Sequence, residues 1–391
     1  MGKYNASLYA FKPARAVAIA LLLLAAGCAE QPEQAEQPPP AAAVPAPAYN
    51  PNDHVQPVTD INQARAAAGG LSLREDAPLH YTVKKGDTLW GISNYFLRDP
   101  WQWPELWYVN GEIANPHLIY PGELLTLVLV NGQPRLMLNS DRLSPRVRSS
   151  SLDQALPAIP VDSIRQFLHG PRVIDREAAE RAPYVVEFTD NHIIAGTNNG
   201  IYVKDLPDDK VPEWSVVKVG DDYRDPDSGE LLGVEAIPTG EASLRVFGQP
   251  AEMMLDKSPE EVQIGNRLLP LDNEIFNADF YPHPPATKVD GSIIAVYHGL
   301  LDIGQYQIVT LSRGSNAGLD PGTVLGIFQK SRTVSDPYGH GSVTLPEQNA
   351  GALMVFKVTP KLSYALVMSA TRAIHTLDRV RNPVPTARVA G

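Results

Sequence analysis

The stretch from Tyr81 to Val128 constrains the fold of this chain more than any other. It opens Y-T-V-K-K-G-D-T-L-W-G-I-S and closes N-P-H-L-I-Y-P-G-E-L-L-T-L-V around a tryptophan-rich middle. Tyr81 to Val83 reads as a short strand, and Lys84 to Asp87 as a turn in which Gly86 can take the positive φ that residues with a Cβ avoid. Asp87 or Thr88 is placed to cap a helix continued by Leu89, Trp90, Ile92, Ser93 and Phe96. In that helix Leu89, Ile92 and Phe96 have the i, i+3, i+7 spacing of a buried face. A second helix is predicted from about Trp103 to Val109, with Pro104 in its first turn and Trp103, Leu106 and Trp107 on one side. Asn115-Pro116 breaks the pattern, Pro121-Gly122 turns the chain, and Leu124 to Val130 returns as a strand. The product is a β-α-α-β unit of roughly fifty residues, small enough to need its tryptophans as core.

G-D-T-L-W-x-I at Gly86 to Ile92 and N-P-x-x-I-x-P-G-x-x-L at Asn115 to Leu125, present in that order, resemble the LysM domain. The resemblance implies two helices on one face of a two-stranded antiparallel sheet, and binding of glycans that contain N-acetylglucosamine, such as peptidoglycan. It places the sugar in a shallow groove between two loops: Gly86, Asp87, Thr88 and Leu89 on one side, Pro116, His117, Leu118 and Ile119 on the other. N-acetyl groups pair with main-chain N–H and C=O in exposed turns, while a sugar's apolar face packs on Leu or Ile. Arg98 to Trp107 is longer and richer in Trp than the shortest members of the family, material that could cover the groove or widen it. The helical spacing of Trp90, Trp103 and Trp107 with aliphatics favours core over sugar platform. Trp101 lies outside that face, as a stacking residue or as a lid over the small core. His117 is most simply a solvated loop residue.

The first 28 residues read as a targeting segment. Lys3, Lys12 and Arg15 precede an apolar run from Val17 to Ala26 that is short for a membrane span, and Leu24-Ala25-Ala26-Gly27-Cys28 ends it with small residues. That ending resembles a bacterial lipobox, with Leu one place further from the cysteine than usual. The resemblance implies lipidation of Cys28, anchorage to a membrane through the lipid, and, with Ala29 next, the outer membrane. Cys28 is the only cysteine, so it has no disulfide partner within the chain. From residue 29 to 78 the sequence is rich in Pro, Ala and Gln and poor in large apolars. It is expected to be a disordered tether, with room for a short helix around Thr59 to Ala68, spanning on the order of 40 Å, enough to carry the LysM-like unit, residues 79–130, from a lipid anchor toward the wall.

Beyond a connector, 131–183, with a short helix expected from Val161 to Leu168, short β-rich runs are separated by turns such as Asp227-Ser228-Gly229 and Pro321-Gly322. The chain is thus expected to be α+β, a small βααβ domain followed by a mainly-β region. That region reads as duplicated. The stretch S-V-V-K-V-G-D-D-Y-R-D-P from Ser215 is echoed by T-V-L-G-I-F-Q-K-S-R-T-V-S-D-P from Thr323, and the tail N-R-L-L-P ending at Pro270 by D-R-V-R-N-P ending at Pro383. Two related β units follow, 184–272 and 291–383, with a link over 273–290 and a tail over 384–391. The order of targeting segment, LysM-like unit and β region resembles a group of uncharacterised proteobacterial envelope proteins, which adds no activity for the β region.

A net charge of −11, with no run of Lys and Arg, argues against nucleic acid as partner. His283, His298, His340 and His375 stand singly, with no H-x-H or H-E-x-x-H, so no metal site or cofactor is expected. No cysteine follows Cys28 to serve as a transpeptidase nucleophile, and Gly314-Ser315 and Gly341-Ser342 lack the G-x-S-x-G frame. D-P-D-S-G-E at Asp225 to Glu230 reads as a hairpin turn in preference to a calcium loop. The reading is a non-catalytic, peptidoglycan-binding protein on the periplasmic side of the envelope, its β region a scaffold or docking surface for another envelope protein. Two alternatives are a wall-remodelling glycosidase with a carboxylate pair in the β region, and a LysM fold used as a protein-binding adaptor.

Overall fold

The computed structural model describes residues 50, 52–107, 119–138, 158–160, 163–164, 167, 172–190, 193–271, 280–297, 303–339 and 341–384. Cys28, Pro116, His117, Leu118, His298 and His340, and the tail over 385–391, lie outside them.

The first body runs through β1 (Val55–Pro57), α1 (Ile61–Ala67), β2 (His80–Thr82), α2 (Leu89–Phe96), a 3-10 turn at Pro100–Gln102, α3 (Trp103–Leu106), β3 (Leu124–Val130) and β4 (Gln133–Leu138). Its centre is β3, the most apolar strand. Along one edge lies β4, from Leu125 against Leu138 to Val130 against Gln133. The Asn131-Gly132 turn between them has positive φ at both residues, 52° and 78°, the geometry that an Asn-Gly hairpin favours. The other edge of β3 is shared by β2, pairing His80 with Thr126, and by β1, pairing Val55 with Val130. The sheet therefore has four strands where two were expected.

Part of the stretch expected to be a tether is built into this body. Asp60 caps α1 by accepting from the Asn62 amide at 2.9 Å, and Val58, Ala64, Leu71 and Leu73 pack into one core with Leu89, Phe96, Trp103, Leu125 and Leu136. Small, spaced apolars cannot hold a fold alone, but here they cover a core that the next fifty or so residues supply. Residues 29–49 lie outside the described part. The second helix is shorter than expected, because Trp107 is already extended (φ −77°, ψ 133°) and bridges to Leu136.

Within the connector, Ile164 and Phe167 are helical and buried. After β5 (Arg172–Ile174) and α4 (Arg176–Arg181), six strands form the first β unit: β6 (Tyr184–Phe188), β7 (Gly200–Lys204), β8 (Glu213–Arg224), β9 (Leu231–Val246), β10 (Ala251–Lys257) and β11 (Arg267–Pro270). Their antiparallel pairings close a circuit, β6-β7-β10-β9-β8-β11 and back to β6, with β5 added on β9. The second unit has β12 (Asp290–Val296), β13 (Ile308–Leu311), β14 (Val324–Gln329), a small hairpin of β15 (Thr333–Ser335) and β16 (Ser342–Thr344), then β17 (Gln348–Val358), β18 (Ser363–Ala370) and β19 (Arg379–Arg381). It closes as β12-β13-β18-β17-β14-β19. Setting the small hairpin aside, both units run first, second, fifth, fourth, third, sixth.

The duplication extends to single hydrogen bonds. Asn198 and Tyr306 both have positive φ, 67° and 65°, and donate to Leu255 O at 2.8 Å and Val367 O at 2.7 Å. Gly265 and Leu377, at φ 88° and 71°, donate to Val185 O and Ile293 O. The Asp-Pro turns match as well. Asp225 accepts from the amides of Asp227 and Ser228 and donates its own to Glu230 O, and Asp336 does the same with Tyr338, Gly339 and Gly341.

The two turns have different surroundings. The Asp225–Glu230 turn is seated on the second unit: Asp225 pairs with Arg313, Asp227 with Arg379 at 2.7 Å, and Glu230 with Lys361 at 2.7 Å. The carboxylates that gave D-P-D-S-G-E the look of a calcium loop are thus used by cations of the neighbouring unit. The Asp336 turn stands out on the small hairpin with Tyr338 92% exposed.

Candidate functional site

Gly86 has φ 90°, as its place in the turn requires. The turn is pinned by Asp87, whose carboxylate accepts from the Lys84 amide at 2.8 Å and from the Tyr81 hydroxyl at 2.9 Å. Thr88, not Asp87, is the helix cap. It is extended (φ −125°, ψ 159°), and its Oγ1 accepts from the Gly91 amide at 3.0 Å. The loop before β3 is tied directly to this turn: the Gly122 amide donates to Val83 O at 2.8 Å, and the Val83 amide to Glu123 O at 2.9 Å. Gly122, at φ 90°, makes the reversal, and the Glu123 carboxylate accepts from the Tyr120 amide at 3.0 Å.

The expected groove residues divide into three groups. Gly86 and Asp87 reach solvent, the second partly. Thr88, Leu89 and Ile119 are buried, and Leu89 and Ile119 belong to the core shared with Phe96 and Trp103. Their side chains fill a small domain's interior, so what they can offer a sugar is main chain. Pro116, His117 and Leu118, the rest of the second rim, lie outside the described residues.

The tryptophans also divide. Trp103 and Trp107 lie in the domain core, edge to face with centroids 6.5 Å apart. Trp90 is just as buried, at 4% exposure, but belongs to a different cluster with Ala158, Ile159, Ile164, Phe167 and Phe280, which lies on Met354, Phe356 and Leu366 of the second β unit. Half-buried Trp101 packs on that cluster too, and Trp103 meets Tyr281 at 5.8 Å. The Trp-rich stretch therefore contributes to attaching the domain to the rest of the chain, a role that the sequence reading did not assign.

An aromatic pair went unnoticed in the sequence. Tyr81 lies between Phe96, edge-on at 6.5 Å, and Tyr95, whose ring centroid is 5.0 Å away at a 31° tilt. Burial raises the Tyr81 phenol above its ordinary pKa, and the Asp87 carboxylate and the Tyr95 hydroxyl add to the effect. It therefore remains a donor to Asp87 throughout the physiological range.

Among the described residues no group of three or more His, Cys, Asp and Glu is placed to hold a metal ion. His283 lies 3.5 Å from Asp320, and His375 lies 3.9 Å from Asp378.

This geometry can be set beside known proteins. A family model described as LysM domain matches residues 81–127. The chain is also similar to the Uncharacterized protein YqbP of Bacillus subtilis (strain 168), at 40% identity over 63 residues. That stretch is 14% of this chain and 29% of the relative, so the chain spans less than a third of that protein's length. A strand, a glycine turn, a threonine-capped helix and a second loop tied back to the first are the parts of a module that implies binding of peptidoglycan-type or chitin-type glycans. Residues 81–127 of this chain form a LysM domain.

Proposed function

We propose that the chain is a non-catalytic peptidoglycan-binding protein of the bacterial envelope, lipidated at Cys28 and held at the outer membrane, with its β region as a scaffold or docking surface for another envelope protein. The observation that carries the glycan reading is the Gly86–Asp87 turn, surface-exposed, pinned from both sides and joined to the second loop through Val83 and Gly122. A turn pinned in this way presents main-chain donors and acceptors to N-acetyl groups with little ordering cost on binding. The scaffold reading is supported by the ion pairs that seat the Asp225–Glu230 turn on the second β unit and by the burial of Trp90 against the same unit. The test is co-sedimentation of residues 29–391 with insoluble peptidoglycan, with assay of released sugar. Pelleting without release supports the proposal, and release of sugar supports the glycosidase.

One observation favours the adaptor as a second reading. The Trp90 amide, a donor in the first turn of α2 beside the expected groove, is taken by Ala158 O of this chain at 3.3 Å. The domain thus makes a protein contact at that helix end. Pelleting abolished by Asp87→Ala in a folded protein would argue for the glycan reading and against the adaptor.

A further inference from the structure

The aromatic pair beside the groove has no place in the reading so far. Tyr95 is 50% exposed, the only aromatic side chain of the described LysM residues that is so open. It sits on α2, and its orientation is fixed from beneath. Its ring lies 5.0 Å from that of Tyr81 at a 31° tilt, Tyr81 is backed by Phe96, and the Tyr81 hydroxyl is bonded to Asp87. The Lys84 ammonium lies 5.9 Å from the Tyr81 ring and completes a polar border with Asp87. One face of a large ring is therefore held open to water, on a rigid element, beside the turn proposed to bind N-acetyl groups. The C–H face of a β-linked pyranose fits such a surface, because burying it against an aromatic ring removes apolar area from water while its hydroxyls stay solvated at the edge.

We propose that Tyr95 is a stacking platform for a pyranose ring, a subsite that extends the groove past Asp87 and selects for longer N-acetylhexosamine chains. The inference rests on the glycan-binding reading. Tyr81, bonded to Asp87 through its hydroxyl and stacked on Tyr95 through its ring, places the subsite beside the turn, so in this proposal a longer glycan gains the Tyr95 contact and a short one held at the turn does not. The hydroxyl of Tyr95 is not needed for stacking, whereas the ring is.

Calorimetric titration of residues 29–391 with chitotriose and with chitohexaose tests this. The wild-type protein is expected to bind the hexamer more tightly than the trimer. Tyr95→Ala should lose about fivefold on the hexamer, the size of one aromatic contact, and nothing on the trimer. Tyr95→Phe should keep the wild-type preference, and near-UV circular dichroism of both variants checks the fold. An unchanged hexamer affinity in Tyr95→Ala overturns the subsite. So does an equal loss on both oligomers, which would mean that the ring only props the groove. A wild-type protein that binds neither oligomer removes the glycan reading itself and the subsite with it.

Discussion

The main-chain amide of Trp90 donates to the carbonyl of Ala158 at 3.3 Å, joining the first turn of the LysM helix to a segment almost seventy residues further along. The Trp90 side chain follows the same direction, out of its own domain's core and into a cluster on the second β unit. The LysM domain and the β region therefore meet through a buried aromatic.

Trp90→Ala should cost roughly 3–5 kcal/mol of the contact between the two bodies, the loss expected for a buried aromatic. The LysM core does not contain Trp90, so it should survive. Thermal unfolding is expected to change from one transition to two, and limited proteolysis to cut near residue 158.

Gly86→Val places a β-branched residue at φ 90° and should destabilise the turn by about 1–3 kcal/mol. A Cβ there meets nothing within 4 Å, so the effect is conformational rather than steric. Peptidoglycan pelleting should fall with little change in the melting of the β region.

Thr88→Ala removes the cap on Gly91 N and should cost about 1 kcal/mol, measured as a shift in the urea midpoint. Thr88→Ser keeps an oxygen at the same place and should restore most of it.

Acid should loosen the seat of the Asp225–Glu230 turn. At Asp225 burial works to raise the carboxyl, but the amides of Asp227 and Ser228 and the Arg313 guanidinium outweigh it and hold the group below the ordinary carboxylate range. Asp290 behaves alike: burial opposes, and Arg379 and Arg381 prevail. Because both folded values lie below the unfolded one, about 3.9, their contribution is complete above that pH and fades as pH falls through the folded values. Asp225→Asn should cost roughly 1–3 kcal/mol at pH 7, and the gap between variant and wild type in urea midpoint should narrow as pH falls below the ordinary carboxylate range.

What could be read in advance was what is local. Gly86, Thr88 and Leu89 take their conformations from a few neighbours, so turn, cap and helix could be placed from spacing, and the choice between Asp87 and Thr88 as cap needed only one hydrogen bond to decide. For residues 52–78 a short helix could be read but its packing could not, because Ala64, Ala68 and Leu71 count as core only once Phe96 and Trp103 stand behind them. Trp90 shows the same limit. Helical spacing with aliphatics marked it as core, yet helical phase leaves open which of two neighbouring bodies covers a flank. The duplication was visible in its Asp-Pro turns and its closing N/D-R motifs. The common strand circuit was not, since pairings between distant strands leave no mark in short runs of Val and Ile.

The Gly86–Asp87 turn is proposed to hold wall glycan without cutting it. The most direct measurement is co-sedimentation of residues 29–391 and of its Asp87→Ala variant with insoluble peptidoglycan, with reducing sugar assayed in each supernatant. The wild type is expected to pellet, the folded variant to stay in solution, and neither to release sugar. Equal pelleting of both proteins, or release of sugar by the wild type, would overturn that role for the turn.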